Sequence, residues 1–312
     1  MTERHSLGCR LLLPAILVFT LGMHNGLVLH AQQAEGHTYV QVMDADGAAV
    51  TDLSVEDFVI KQGDVEVEVI GIELINEPLR MALLIDDAGG AASYFRHLRN
   101  GLPLFVDALP DDSEVTLILL SGRARTVVDY DEGLPRVKER LEELFIDGSG
   151  AAGFFAGVRE TVEKFEGVRW PVMALITTDG PSMASTSFTE GKYEQLGERI
   201  RELGVTVHAL SLNLPDGREF QTGVARQLTG MTQGWYDSLN GPSQSLSDKL
   251  TAMATEISQR HAASANQYLV TFEPAPGATA NTLVSAGVRR PQIRVAVSQD
   301  GRPAPISLGA SA

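Results

Sequence analysis

Cysteine is nearly absent from this chain: Cys9 is the only one in 312 residues. It precedes the first apolar run, where a lipoprotein leader would not put it. With that leader removed, disulfides, thiolate catalysis and Cys-zinc sites drop out together. Basic residues are also scarce. Lys and Arg number 25 against 40 Asp and Glu, a net charge of −15. Such a chain repels phosphate backbones, so nucleic acid is not an expected partner. Several catalytic words are missing too. No Walker lysine follows a glycine loop, "GGAAS" lacks the G-x-G-x-x-G spacing, and there is no G-x-S-x-G elbow. The seven histidines are scattered, with no pair at metal-ligand spacing. His208 lies within a strand pattern and reads as a core or edge contact.

What is present is a packable chain. Hydrophobic residues make up 44% and charged residues 21%, which suits a folded core and argues against global disorder. The length admits one large domain or two to three smaller ones. Arg4, His5 and Arg10 precede "LLLPAILVFTLGM", and "LVLHAQQ" offers a cleavage point after Ala31. That order describes a secretory signal peptide over residues 1–31. Pro14 and Gly22 interrupt the run, which is short for a membrane span. The expectation is a secreted or periplasmic protein with no integral membrane segment after cleavage. An uncleaved N-terminal membrane anchor is the alternative.

Residues 37–78 read as an N-terminal β module. Asp46-Gly47 and Gly63-Asp64 are turn signals, and "VEVEVIGI" alternates Val65, Val67 and Val69 with Glu66 and Glu68 as one half-buried strand. "DADG" lacks the later oxygen ligands of a calcium loop and reads as a hairpin turn. From residue 79 to 262 the pattern changes. "MALLID", "EVTLILLSG", "PVMALITTDG" and "VTVHALSL" are apolar strands without alternation, separated by amphipathic helices. Such strands need cover on both faces, so the fold class is α/β with a doubly wound, mostly parallel sheet. "ARTVVDY" reads as the second strand of a hairpin with "EVTLILLSG". Residues 263–312 return to β character and end in a small-residue tail. Trp235 and Tyr236 read either as an interaction patch or as side chains buried under a β module, and "RVKERLEEL" as a solvated face with internal ion pairs.

Ligands of open α/β sheets sit at the carboxyl ends of the strands. Three places qualify: Asp86-Asp87 with Ala88, Gly89 and Gly90; "DGSGAAG", which carries Ser149, Ala151 and Ala152; and Asp179-Gly180. Two aspartates after a strand also fit a phospho-receiver domain. That fold needs a third strand-end aspartate where "LILLSG" ends in Ser121, and a cytoplasmic address.

The order of these words resembles a von Willebrand factor type A domain of the bacterial kind. "VQVMDADGAAVTDLSVEDFVI" is similar to that group's leading module, "ALLIDDAGGA" to the strand that normally ends D-x-S-x-S, and "ITTDG" to the closing TDG. "LGVTVHALSL" resembles the group's next strand, "ARQLTGMTQGWY" the glycine turn after it, and "NQYLVTFEP" its late strand. The resemblance implies a metal-ion-dependent adhesion site, in which oxygen ligands hold Mg or Mn and a partner carboxylate completes the shell. It puts Asp86 at the first aspartate and Asp179 at the last. Ala88 and Gly90 stand at the two serine positions, and Ala151 or Ala152 at the threonine position. None of those three has a side-chain oxygen, which implies a degenerate site with weak metal binding or none. Asp87, Ser93 or Ser149 would compensate in part, although Asp87 points elsewhere on the strand.

The expected function is therefore non-enzymatic binding of an unidentified protein partner through the strand-end loops, without strong metal dependence and without a cofactor. One alternative is Mg-dependent adhesion through Asp86 and Asp179. Another is metal-assisted hydrolysis, for which no general base or nucleophile stands beside the carboxylates.

Overall fold

The computed structural model describes residues 35–147, 150–183, 188–218, 220–279 and 281–298. The expected leader, with Cys9, the tail beyond residue 298, and Ser149 lie outside the described residues.

The chain runs β1 (Gly36–Met43), β2 (Phe58–Gln62), β3 (Val65–Val67), β4 (Val69–Ile75), β5 (Arg80–Ile85), α1 (Phe95–Asp107), β6 (Glu114–Leu119), β7 (Arg125–Val128) and α2 (Gly133–Glu142). It continues with α3 (Phe154–Glu163), β8 (Val172–Thr178), α4 (Glu190–Leu203), β9 (Thr206–Asn213), α5 (Phe220–Met231), β10 (Tyr236–Asn240) and α6 (Ser245–Ala265). Strands β11 (Gln267–Phe272), β12 (Val284–Val288) and β13 (Arg294–Ser298) close it.

The central sheet has the order β10-β9-β8-β5-β6-β7. Only β7 is antiparallel, paired with β6 as the hairpin the sequence suggests. The unbroken apolar character of β5 has a direct cause. Met81, Leu83 and Ile85 face one core, with α1, α2 and α6 packed on it. Ala82 and Leu84 face the other, under α3, α4 and α5. Both faces are dry, so neither can carry polar residues. Each fully buried leucine contributes roughly 1.5–3 kcal/mol. Gly101 lets α1 approach α6 closely, because a Cβ there would meet Leu250 and Ser247 at 2.8–3.1 Å. Helix α4 ends at Gly204, which adopts φ 66°, the left-handed stop that glycine takes without strain.

The β segments at the two ends form one module. Strand β1 lies between β11 and β13 in a sheet ordered β13-β1-β11-β4, and β12 pairs with β2 beside β3. The two sheets enclose Val40, Val42, Phe58, Ile60, Tyr268, Val270 and Phe272. This corrects the reading of "VEVEVIGI" as one strand. The chain changes sheets at Glu68: β3 pairs with β2, while β4 pairs with β11. A register shift at Thr271/Phe272 puts both Val69 and Ile72 against the core, which a period of two cannot do.

Candidate functional site

Strand β5 has β6 on one side and β8 on the other, so successive connections leave it in opposite directions. Crevices open at such switch points, beyond the carboxyl ends of the strands. Asp86 follows β5 directly, and the other candidate loops gather around it. Asp86 N–H donates to the Ile176 carbonyl, Asp147 N–H to Asp87 C=O, and Gly89 N–H to Gly150 C=O. Ala152 N–H donates to Pro181 C=O, and Ala152 C=O accepts from Met183 N–H. The three loops are laced together by their own backbones.

The carboxylates face inward. Asp86 is 2% exposed. Its Oδ2 accepts from Thr178 Oγ1 at 2.6 Å and Thr178 N at 3.2 Å, with Gln221 Nε2 at 3.5 Å. Its Oδ1 accepts from Ala88 N at 3.0 Å. Burial pushes its pKa up, and the bonds from Thr178 and Ala88 oppose that shift. Asp87 is equally buried and points to a different neighbour, as its strand position requires. Its Oδ1 accepts from Ser121 N at 2.6 Å, and its Oδ2 lies 3.1 Å from Arg125 Nη2. Burial raises its pKa too, against the Ser121 N–H and the Arg125 charge. Asp179 accepts from Leu214 N at 2.7 Å through Oδ1, and a Cβ on Gly217 would overlap its carboxylate. Only glycine lets the β9–α5 loop close on that side chain.

These contacts bear on the fit of a divalent cation. Ala88 is buried and offers a methyl group. At Gly90 a Cβ would lie 2.6 Å from Thr178 Oγ1 and 3.1 Å from the Gly180 Cα. A serine would not enter without moving the loop. The Thr178 hydroxyl stands in that space, donating to Asp86 and accepting from Gly180 N at 3.2 Å. Among the described residues no three Asp, Glu, His or Cys side chains come together as a metal cluster. Among the described residues the Asp86 carboxylate is thus engaged by protein donors, an arrangement unlike the near-ideal octahedron a magnesium ion demands.

The sequence-predicted rim is thus mostly beneath the surface. Asp86, Asp87, Ala88, Gly90, Ala152, Asp179 and Gly180 are buried; Gly89 and Ala151 are half-buried, and Ser93 is exposed. The buried side chains shape the loops from beneath. Sequence reasoning missed Thr178, Gln221, Ser121, Arg125 and Gly217. The signal for Thr178 was present, since it precedes Asp179 in "ITTDG" and ends a strand aimed at the site. His208 is a core residue of β9, 1% exposed, and its Nδ1 accepts from Trp235 N at 3.1 Å. Trp235 and Tyr236 are half-buried beside the sheet, with Tyr236 opening edge strand β10.

No family sequence model matches the chain, and no curated protein sequence does. Solved structures do. A von Willebrand factor type A protein from Catenulispora acidiphila is 13% identical, with a TM-score of 0.45, covering 72% of this chain and 51% of that one. It is a member of the family that the sequence words quoted above resemble. Manganese-loaded Plasmodium vivax TRAP protein gives 12% identity and a TM-score of 0.46, covering 72% of this chain and 81% of its own. The pilus adhesin SpaC of Lactobacillus rhamnosus GG gives 16% and 0.44, covering 66% and 34%. The chain spans about half of the first of these and a third of the last. Identities of this size concern the fold and carry no statement about activity. No described helix is long and apolar enough to cross a membrane.

Proposed function

We propose that this chain is a non-enzymatic, extracytoplasmic protein-binding module of the von Willebrand factor type A kind, working through its strand-end rim without a divalent cation. The observation that carries this reading is the internal satisfaction of Asp86. Its carboxylate is held by Thr178, Ala88 and Gln221, so the loops around it are braced by protein donors. Bracing of that kind presents a preformed surface, which lowers the ordering cost of association. The extracytoplasmic address rests on the leader pattern of residues 1–31. Against an enzymatic reading, Ser121, whose Oγ donates to Asp147 Oδ2 at 3.2 Å, is only 6% exposed and so is screened from a substrate.

Thermal melts in EDTA, Mg²⁺ and Mn²⁺ test the cation independence. A ligand selective for the native state raises the midpoint in proportion to its affinity. Coincident melts are expected. A rise with either ion that disappears in Asp86→Ala overturns the reading. A pull-down from extracytoplasmic extract, run beside Ala151→Arg, tests the rim: partners should be lost from the variant, and unchanged capture would move the binding surface elsewhere.

A further inference from the structure

Above the buried carboxylates the rim presents a different set of side chains. Phe145 is 75% exposed and Met183 is 53% exposed, among the most exposed large hydrophobics of the described residues. Neither hangs on a loose loop. Leu144 and Ile146, on either side of Phe145, are buried in the core, and Asp147 N–H is bonded to Asp87 C=O. Alternation around two buried neighbours forces Phe145 outward. Met183 N–H is bonded to Ala152 C=O, and Ala152 bridges Ser121 on its other side. The Arg125 side chain is 54% exposed, yet its ion-pair partner Asp87 is 2% exposed and fixed by Ser121 N–H. The ion pair with Asp87 uses one guanidinium nitrogen, Nη2. Arg123 and Arg218 are also exposed at strand-end loops, beside the exposed acids Asp147 and Asp216.

Phe, Met and Arg are the types enriched at protein interfaces, and anchored side chains lose little freedom on binding. A guanidinium recognises carboxylate by parallel N–H bonds. We infer that Arg125, Phe145 and Met183 form the partner-contacting patch of the rim, and that the partner is a protein segment presenting a carboxylate beside an apolar side chain. This deepens the proposed function and rests on its placing of the binding surface at the rim. Arg125, which bonds Asp87 through Nη2, supplies its other guanidinium N–H groups to the partner's carboxylate. Phe145 and Met183 supply apolar area whose exposure does nothing for the stability of the free chain.

A phage-displayed dodecapeptide library selected on the full chain tests this. Selected peptides should carry Asp or Glu next to an aliphatic or aromatic residue. Changing that acid to its amide should weaken binding roughly tenfold, and Arg125→Gln should cost about the same, with little added effect when both are changed. Arg125→Lys should restore part of the loss. Phe145→Ser and Met183→Ser, at exposed positions that leave the core intact, should each weaken binding. Melts of every variant separate lost contacts from lost folding. Peptides that lose binding in Phe145→Ser or Met183→Ser but ignore both the amide change and Arg125→Gln overturn the carboxylate inference and leave the rim reading standing. Peptides untouched by all of these variants, or no peptide selected, count against the rim reading itself.

Discussion

Replacing Thr178 by valine keeps the shape of the side chain and removes one hydroxyl. In this fold that hydroxyl has two bonds, a 2.6 Å donation to Asp86 Oδ2 and a 3.2 Å acceptance from Gly180 N. A net hydrogen bond contributes about 0.5–1.5 kcal/mol, and a buried N–H left without an acceptor costs about 1–3 kcal/mol. Thr178 N and Ala88 N still serve the carboxylate. Together the loss should be about 1.5–4.5 kcal/mol, a large fraction of the roughly 5–15 kcal/mol that holds a domain together. The sign of its pH dependence follows from burial. Asp86 titrates above its unfolded value of 3.8, so the folded state holds its proton more tightly. Stability from this group therefore falls as pH rises from the unfolded value through the folded one. Without the Thr178 bond, which lowers the pKa, the folded value rises further. The gap between wild type and Thr178→Val should thus narrow as pH falls toward the unfolded value. Denaturant melts across that range measure it. A gap under about 1 kcal/mol near neutral pH would refute the idea that this hydroxyl braces the site. A gap closed by saturating Mg²⁺ would mean that an ion takes over the bracing.

Two further outcomes rest on buried groups. His208 is held near a pKa of about 3 by burial, against 6.5 unfolded, so its neutral form contributes stability that is full above pH 6.5 and lost as pH falls. Between about pH 8 and pH 5 wild type should lose about 2 kcal/mol more than His208→Leu by denaturant melts, and equal losses would place the titrating groups elsewhere. Gly217→Ala pushes a Cβ into the Asp179 carboxylate and should cost about 1–3 kcal/mol, whereas Gly223→Ala in α5, where a Cβ meets open space, should be neutral or slightly stabilising. Differential scanning calorimetry compares the pair, and equal midpoints would contradict the packing at Asp179.

The sheet was legible because its chemistry is one-dimensional. An apolar strand such as β5 between amphipathic helices has few places to go except between two layers, and its neighbours read the same way. The switch at Glu68 was illegible for the opposite reason. Val65, Val67 and Val69 keep a perfect period of two, while the pairing partners that divide β3 from β4 lie in β2 and β11, the latter about 200 residues away. Joining the terminal β segments into one sandwich is likewise a matter of long-range pairing.

The site was legible in address and illegible in filling. Asp86 and Asp179 can be located by their place at strand ends, and the missing oxygens at Ala88 and Gly90 can be read directly. What fills the space cannot, because an absence in one loop is answered from another. The Thr178 hydroxyl comes from β8, the Gln221 amide from α5, and Gly217 admits the Asp179 carboxylate from the β9–α5 loop. Each is an ordinary residue in its own segment. The same holds for the surface: Arg125 sits in "SGRAR" with no sign that its partner is a buried aspartate some forty residues earlier. Here both oxygens of Asp86 are engaged by protein donors, so a partner at the proposed rim would meet the side chains that stand above it, Arg125, Phe145 and Met183.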